Sequence, residues 1–68
     1  MKIGFIGLGN MGGSLARLVA QDERYRNELL LANRSRDKAE KIAAEVGGQP
    51  VSNAEVFAQA EVIFLRSE

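Results

Sequence analysis

Lys2-Ile-Gly-Phe-Ile-Gly-Leu-Gly-Asn-Met-Gly-Gly13 is the stretch of sequence that decides the fold. It opens with a short apolar run and continues into the glycine spacing Gly7-x-Gly9-x-x-Gly12, after which a helical pattern follows. A strand, a glycine turn and a helix in this order form the context in which that spacing binds the pyrophosphate of a dinucleotide. A glycine turn that serves only the fold is the alternative interpretation.

The three glycines have separate physical roles in such a turn. Gly7 permits the tight turn off the strand, and Gly9 lacks a Cβ, so the backbone can approach the phosphates. Gly12 lets the first helix pack closely on the strand. The phosphates then meet free backbone N–H groups and the positive end of the helix dipole.

The rest of the chain alternates short apolar runs with helical patterns. The predicted strands are residues 2–6, Leu29–Ala32, a short extended piece at 49–51 and residues 61–65. The predicted helices are Asn10–Ala20, a helix capped by Ser35 that runs to about Val46, and Asn53–Gln59 behind the capping box Ser52-x-x-Glu55. On the first helix we expect one apolar stripe, formed by Met11, Leu15, Leu18 and Val19.

This alternation, with short links, predicts a parallel sheet with right-handed crossovers. The fold class is therefore α/β, a Rossmann-like parallel sheet of strand order 3-2-1-4 with flanking helices. The last strand is a hydrophobic edge, and the chain stops three residues after Leu65. We therefore expect residues 1–68 to be a partial, N-terminal dinucleotide-binding domain of a larger protein. A complete small chain that dimerises through this edge is the alternative.

Composition excludes several classes of function. The 68 residues carry nine basic and nine acidic side chains, so no net field favours nucleic acid or an anionic membrane. Cysteine and histidine are both absent, which argues against disulfides, zinc sites and histidine-based catalysis. No apolar run is long enough to cross a bilayer, and the early strand leaves no room for a signal peptide. We expect a cytoplasmic protein with no metal and no nucleic-acid or membrane partner.

The end of the second strand indicates which dinucleotide is bound. An NAD-binding chain usually carries Asp or Glu about 20 residues after the glycines, bonded to the ribose 2′-hydroxyl. Here that position is Asn33, which follows Gly12 by 21 residues and precedes Arg34 and Ser35. A guanidinium binds a 2′-phosphate bidentately, whereas a carboxylate would repel it. The sequence therefore favours NADP over NAD.

The alternative for the cations at this point is a solvated cluster of Arg34, Arg36 and Lys38 at a helix start. Cations there are mildly unfavourable without an anion, which weakens that alternative. Arg34 is the strongest candidate ligand, and we expect Arg36 and Lys38 to point into water. For Asn53, at the start of the third helix, local capping and cofactor contact are both open.

The predicted site holds a cofactor and has no assigned catalytic residue. No nucleophile arrangement or acid–base pair is visible, as expected where a nicotinamide carries the hydride chemistry. The predicted cofactor-binding residues are Gly7, Leu8, Gly9, Asn10, Met11, Gly12, Asn33, Arg34, Ser35 and Asn53.

Four segments together resemble the pyrroline-5-carboxylate reductase family. They are the opening stretch, Asn33-Arg34-Ser35, Ser52-Asn53-Ala54-Glu55 and Ala60-Glu61-Val62-Ile63-Phe64-Leu65. The resemblance implies that the second segment holds the adenosine phosphate of NADPH and that Asn53 contacts the cofactor. It implies reduction of 1-pyrroline-5-carboxylate to proline, with this small-molecule substrate bound by a C-terminal domain absent here. It also implies a homo-oligomer when full length.

The chain departs from that family after Leu65. The family continues with Ala-Val-Lys-Pro, which lines the nicotinamide end, whereas this chain has Arg66-Ser67-Glu68. We therefore expect the fragment alone to bind a cofactor without turnover. Two alternatives stay open. One is a 3-hydroxyacid dehydrogenase of the 3-hydroxyisobutyrate type, which shares Gly-Leu-Gly-x-Met-Gly. The other is a dinucleotide-binding regulatory module without catalysis.

Overall fold

Four parallel strands form the sheet in the computed structural model of this chain, which describes residues 1–65 except for the side chains of Asn10 and Met11. In chain order they are β1 (Ile3–Ile6), β2 (Leu29–Ala32), β3 (Gln49–Pro50) and β4 (Val62–Leu65). Their order across the sheet is β3-β2-β1-β4. The predicted α/β fold class and the order 3-2-1-4 are therefore confirmed.

Three helices connect these strands, with the predicted bounds: α1 (Asn10–Ala20), α2 (Arg36–Val46) and α3 (Asn53–Gln59). α2 ends at the predicted residue because Gly47 has a left-handed backbone with φ of 72° and its N–H donates to the Ala43 carbonyl. β2 has the predicted bounds, and the other three strands are one residue shorter than predicted, with β1 and β4 beginning one residue later and β3 ending at Pro50. Within residues 1–65, no helix is both long and apolar enough to cross a membrane.

The strand register explains why β3 lies at an edge. β1 pairs residue by residue with both β2 and β4, from Ile3 to Ile6. β3 pairs with β2 only at Leu30↔Gln49 and Leu31↔Pro50. Since proline has no N–H to donate, it is tolerated at such an edge and not in a central strand.

The two faces of the sheet carry separate apolar clusters. Alternation along β2 sends Leu29 and Leu31 to one face and Leu30 and Ala32 to the other. The larger cluster lies under α1 and α2, and its other members include Ile3, Phe5, Ala39, Ile42, Ala43 and Val46. The smaller cluster lies under α3 and is completed by Ile6, Val51 and Val56. The buried residues of α2 all belong to the larger cluster.

The face that α1 presents to the sheet differs from the predicted stripe. Ala16 and Ala20 are buried, Leu15 and Val19 are half-buried, and Leu18 is 62% exposed. The buried positions are small because the helix lies close to the strands, which leaves the larger apolar side chains on its flanks. The prediction was therefore wrong for Leu18.

The β4 side of the sheet depends on a glycine that the sequence did not single out. A Cβ at Gly4 would overlap a methyl group of Val56, so only glycine lets α3 lie against β1. The outer strand β4 is the predicted apolar edge. Its Phe64 ring stacks on Phe5 at 5.2 Å between centroids, yet Phe64 is 39% and Leu65 72% exposed.

Candidate functional site

The segments that follow β1, β2 and β3 meet at one edge of the sheet, because parallel strands end on the same side. We call this side the carboxyl edge and the opposite side the amino edge. An open cavity of about 1130 Å³ lies at the carboxyl edge. We call it the carboxyl-edge cavity, and its lining residues are Ile6, Gly7, Gly9, Asn33, Arg34, Ser35, Lys38, Ser52, Asn53 and Ala54.

The glycine turn forms the floor of this cavity. Gly7 has a φ of 87°, a left-handed conformation that favours glycine, and its N–H donates to the Ala32 carbonyl at 3.0 Å. Gly12 does not line the cavity, and it lies so close to the turn that a Cβ there would overlap the Gly7 carbonyl oxygen. Gly12 therefore shapes the turn from within the fold, which is the packing role that the spacing predicts for it.

The start of α1 is open, whereas the starts of α2 and α3 are closed by their own side chains. The residue before α1 is Gly9, which has extended backbone and no side chain to accept from the first N–H groups, and no acidic residue occupies the first turn. By contrast, Ser35 Oγ accepts from the Lys38 N–H at 3.4 Å in α2. An external anion can therefore take the place of a cap at α1.

The capping box of α3 is complete. The Glu55 N–H donates to Ser52 Oγ and the Ser52 N–H donates to Glu55 Oε1, both at 3.2 Å. Glu55 is thus turned onto the helix start and is not among the cavity-lining residues. Asn53 is exposed and lines the cavity, with Ser52 and Ala54 beside it. Ser52 and Ala54 were not among the predicted binding residues. Their position next to Asn53 in the sequence is the feature that could have identified them.

The lining of the carboxyl-edge cavity is positive. It contains Arg34 and Lys38 and no acidic residue, and neither cation has an ion-pair partner within residues 1–65. Arg36 lies outside the lining, with its Nε 3.4 Å from Glu40 Oε2. We expected Lys38 to point into water, but it lines the cavity. The signal was its position three residues after the Ser35 cap, on the first turn of α2.

Asn33 lines the cavity, but its amide already has two protein partners. Its Oδ1 accepts from the Leu8 N–H at 2.9 Å, and its Nδ2 donates to the Ser35 carbonyl at 3.4 Å. Leu8 has no exposed surface and packs in the larger cluster, so its side chain faces away from the cavity. Of the predicted binding residues, the cavity brings together Gly7, Gly9, Asn33, Arg34, Ser35 and Asn53.

The remaining predictions fall outside this geometry. The side chains of Asn10 and Met11 and the departure at Arg66-Ser67-Glu68 lie outside the described residues. Within residues 1–65, no cluster of three or more His, Cys, Asp or Glu side chains is placed to hold a metal ion.

The titrating groups with shifted pKa values lie at the amino edge. There, the Arg24 side chain and its backbone N–H both donate to Asp22, which lowers the pKa of that carboxyl from 3.8 to about 2. The Arg17 guanidinium donates to Glu45 at 2.8 Å and holds the pKa of that carboxyl below its usual value. A second cavity of about 590 Å³ lies beside the Arg17–Glu45 pair.

Residues 2–67 match the model of a family described as NADP oxidoreductase, coenzyme F420-dependent. Among solved structures, a glutamyl-tRNA reductase from Methanopyrus kandleri is similar, with a TM-score of 0.75 and 28% sequence identity. That alignment covers 98% of this chain and 17% of the other, so this chain spans a small part of that protein's length. A search of curated proteins finds no match.

Proposed function

We propose that this chain, which belongs to the family of coenzyme F420-dependent NADP oxidoreductases, binds NADP(H) in the carboxyl-edge cavity as the cofactor-holding part of a reductase. The family and the reductase neighbour indicate an NAD(P)-dependent oxidoreductase. The observation that carries the choice of NADP is the pairing of an uncapped helix start with two cations that have no acidic partner within residues 1–65.

The donor set at the glycine turn fits a pyrophosphate. Gly7 and Gly9 line the cavity with backbone alone, and the residue that precedes α1 is glycine, which has no side chain to cap the first N–H groups. An anion there would accept from those N–H groups and lie at the positive end of the helix dipole. The turn would therefore hold the two phosphates common to NADH and NADPH.

The donor set at the end of β2 fits a 2′-phosphate. Arg34 and Lys38 supply positive charge, and Ser35 supplies a hydroxyl whose oxygen also caps α2. Among residues 1–65, no carboxylate lines this part of the cavity to repel a phosphate or to accept from a free 2′-hydroxyl. This arrangement favours NADPH over NADH, since only NADPH carries the additional phosphate.

When bound, the nicotinamide would supply hydride to the substrate. This chain's own residues would fix the coenzyme by its phosphates and leave substrate binding to residues outside this chain. For the substrate we propose 1-pyrroline-5-carboxylate, on the four segments that resemble that reductase family. A 3-hydroxy acid is the second candidate, since Gly7-Leu-Gly-Asn-Met-Gly12 is also typical of 3-hydroxyisobutyrate-type dehydrogenases.

Titration of the purified chain with NADPH and NADH tests the coenzyme. We expect tighter binding of NADPH, and Arg34→Ala should weaken NADPH by about tenfold to a hundredfold while changing NADH less than about twofold. Isothermal titration calorimetry gives both dissociation constants. Equal affinities for the two coenzymes in the wild-type chain would contradict the choice of NADP.

The substrate is tested on the complete gene product that carries this chain. Oxidation of NADPH with 1-pyrroline-5-carboxylate supports the first candidate, and reduction of NADP with 3-hydroxyisobutyrate supports the second. A product that binds NADPH and turns over neither compound would favour a regulatory module.

A further inference from the structure

We propose that Asn33 is a positioning residue for the glycine turn, which acts on the coenzyme through the backbone of Leu8 and not as a direct ligand of the ribose. Its place in the sequence is where a ribose ligand is expected. In the structure, its amide instead bridges two segments of the carboxyl edge, the turn after β1 and the start of α2. This inference rests on the proposed function for its consequence in binding.

The Leu8 end of the bridge is the stronger one. Leu8 has no exposed surface, and a buried N–H without a partner is costly. Within residues 1–65, Asn33 Oδ1 is the acceptor that this N–H has, at a distance of 2.9 Å, which is near the optimum for an N–H···O bond. The side chain of Asn33 therefore fixes the middle residue of the turn that carries Gly7 and Gly9.

The Ser35 end connects this turn to the cationic part of the cavity. Asn33 Nδ2 donates to the Ser35 carbonyl at 3.4 Å, and the same carbonyl accepts the Ala39 N–H at 3.2 Å as α2 begins. One side chain thus sets the turn for the pyrophosphate and the helix start next to Arg34. With its orientation fixed by these two bonds, Asn33 leaves recognition of the 2′-phosphate to Arg34 and Lys38.

A positioning residue and a ligand of the 2′ position predict different effects on the two coenzymes. Loss of the bridge disturbs the turn, which NADH and NADPH share, so both should weaken by the same factor. Loss of a 2′-phosphate ligand weakens NADPH alone. The ratio of the two dissociation constants therefore separates the two roles.

The experiment uses the ¹⁵N-labelled 68-residue chain and compares Asn33→Ala with Asn33→Asp, Arg34→Ala and the exposed control Asn27→Ala. In the free protein, we expect Asn33→Ala to shift the Leu8 amide resonance and to speed its hydrogen exchange by about tenfold. Asn33→Asp keeps an acceptor and should retain the Leu8 signal. In titrations, Asn33→Ala should weaken NADH and NADPH equally, by about tenfold, whereas Arg34→Ala weakens NADPH alone.

Two results would overturn the inference. One is an unchanged Leu8 amide in Asn33→Ala, and the other is a selective loss of NADPH like that of Arg34→Ala. If the wild-type chain binds neither coenzyme, the proposed function fails, and the Leu8 amide of Asn33→Ala still decides whether Asn33 holds the turn. A well-dispersed spectrum of Asn33→Asp shows that the fold persists when the side chain is changed.

Discussion

The two edges of the sheet differ in whether their charged side chains form ion pairs. At the amino edge, within residues 1–65, basic and acidic side chains pair with one another: Lys2 with Glu28 at 3.5 Å, Arg17 with Glu45 at 2.8 Å and Arg24 with Asp22 at 2.7 Å. At the carboxyl edge, Arg34 and Lys38 line a cavity to which the described part of the chain contributes no acidic residue. A net charge of zero therefore hides a local excess of positive charge at one edge.

This difference shows at which edge a ligand can gain the most binding free energy. Exposed ion pairs contribute little to stability, and a ligand near them must compete with a partner already in place. A cation without an acidic partner, next to a helix start without a cap, can form a new interaction with an anionic ligand. The carboxyl edge is therefore the place where substitutions should change binding, and the amino edge the place where they should change little.

The largest expected effect comes from breaking the glycine turn at the carboxyl edge. In Gly12→Ala, the added Cβ would overlap the Gly7 carbonyl oxygen, which is backbone and cannot move without moving the turn. We expect a loss of about 3 kcal/mol or more in the free energy of unfolding, together with loss of NADPH binding. Urea denaturation and a coenzyme titration measure the two effects.

The neighbouring glycine supplies the matched control. A Cβ at Gly13 would lie 3.4 Å from the end of the Arg17 side chain and 3.6 Å from Ile42, which is ordinary contact. Gly13→Ala should therefore keep the fold and gain from the higher helix propensity of alanine, by up to about 1 kcal/mol. Equal behaviour of the two variants would contradict the assigned role of Gly12.

The second effect compares a cation of α2 that has no acidic partner in the described part of the chain with one that has, by what each contributes to NADPH binding. Lys38 lines the cavity without an acidic partner within residues 1–65, whereas Arg36, two residues earlier, pairs with Glu40 outside the lining. We expect Lys38→Ala to weaken NADPH by about tenfold and Arg36→Ala to weaken it less than about twofold. Titrations at two salt concentrations check this, because the Lys38 effect should shrink as salt screens it.

The contrast between Lys38 and Arg36 also marks what the sequence could and could not predict. Periodicity, caps and glycine spacing depend on neighbours in the chain, so the helix bounds, the strand order and the Ser52–Glu55 capping box were all predictable. Which of two nearby cations faces the cavity depends on the rotation of α2 against the sheet. That rotation is set by packing between distant residues.

The same limit applies to Gly4 and Asn33. The need for glycine at Gly4 arises from Val56, which is 52 residues away in the chain and reaches β1 only when α3 crosses the sheet. The bond from Leu8 to Asn33 spans 25 residues and joins two segments that parallel pairing brings together. The sequence indicated that Asn33 belongs to the site, but its bonding partner required the three-dimensional arrangement.

The third effect comes from removing the cap at the start of α3. Ser52→Ala removes the hydroxyl that accepts the Glu55 N–H and so opens the cap of α3. We expect a loss of about 1 kcal/mol in the free energy of unfolding, measured by urea denaturation. Glu55→Gln serves as the control, since an amide oxygen can still accept from the Ser52 N–H. A change in Ser52→Ala no larger than that of Glu55→Gln would contradict the importance of the hydroxyl.

The smallest effect concerns the amino edge and depends on pH. The side chain and the backbone N–H of Arg24 lower the pKa of Asp22 to about 2, so the charged pair stabilises the folded chain fully above the ordinary carboxyl pKa near 3.8. That contribution is lost as the pH falls from about 3.8 through about 2. Near neutral pH this carboxyl is fully charged, so a small change of pH there should alter neither folding nor coenzyme binding through it.

An NMR titration of the Asp22 carboxyl measures this pKa directly. Arg24→Ala should raise the midpoint only part of the way to 3.8, because the backbone N–H of residue 24 still donates to Asp22 at 3.0 Å. A wild-type midpoint near 3.8 would show that the pair does not form. Weaker NADPH binding in Arg24→Ala, of the size expected for Arg34→Ala, would break the distinction between the two edges, since Arg24 already has its anion in the fold.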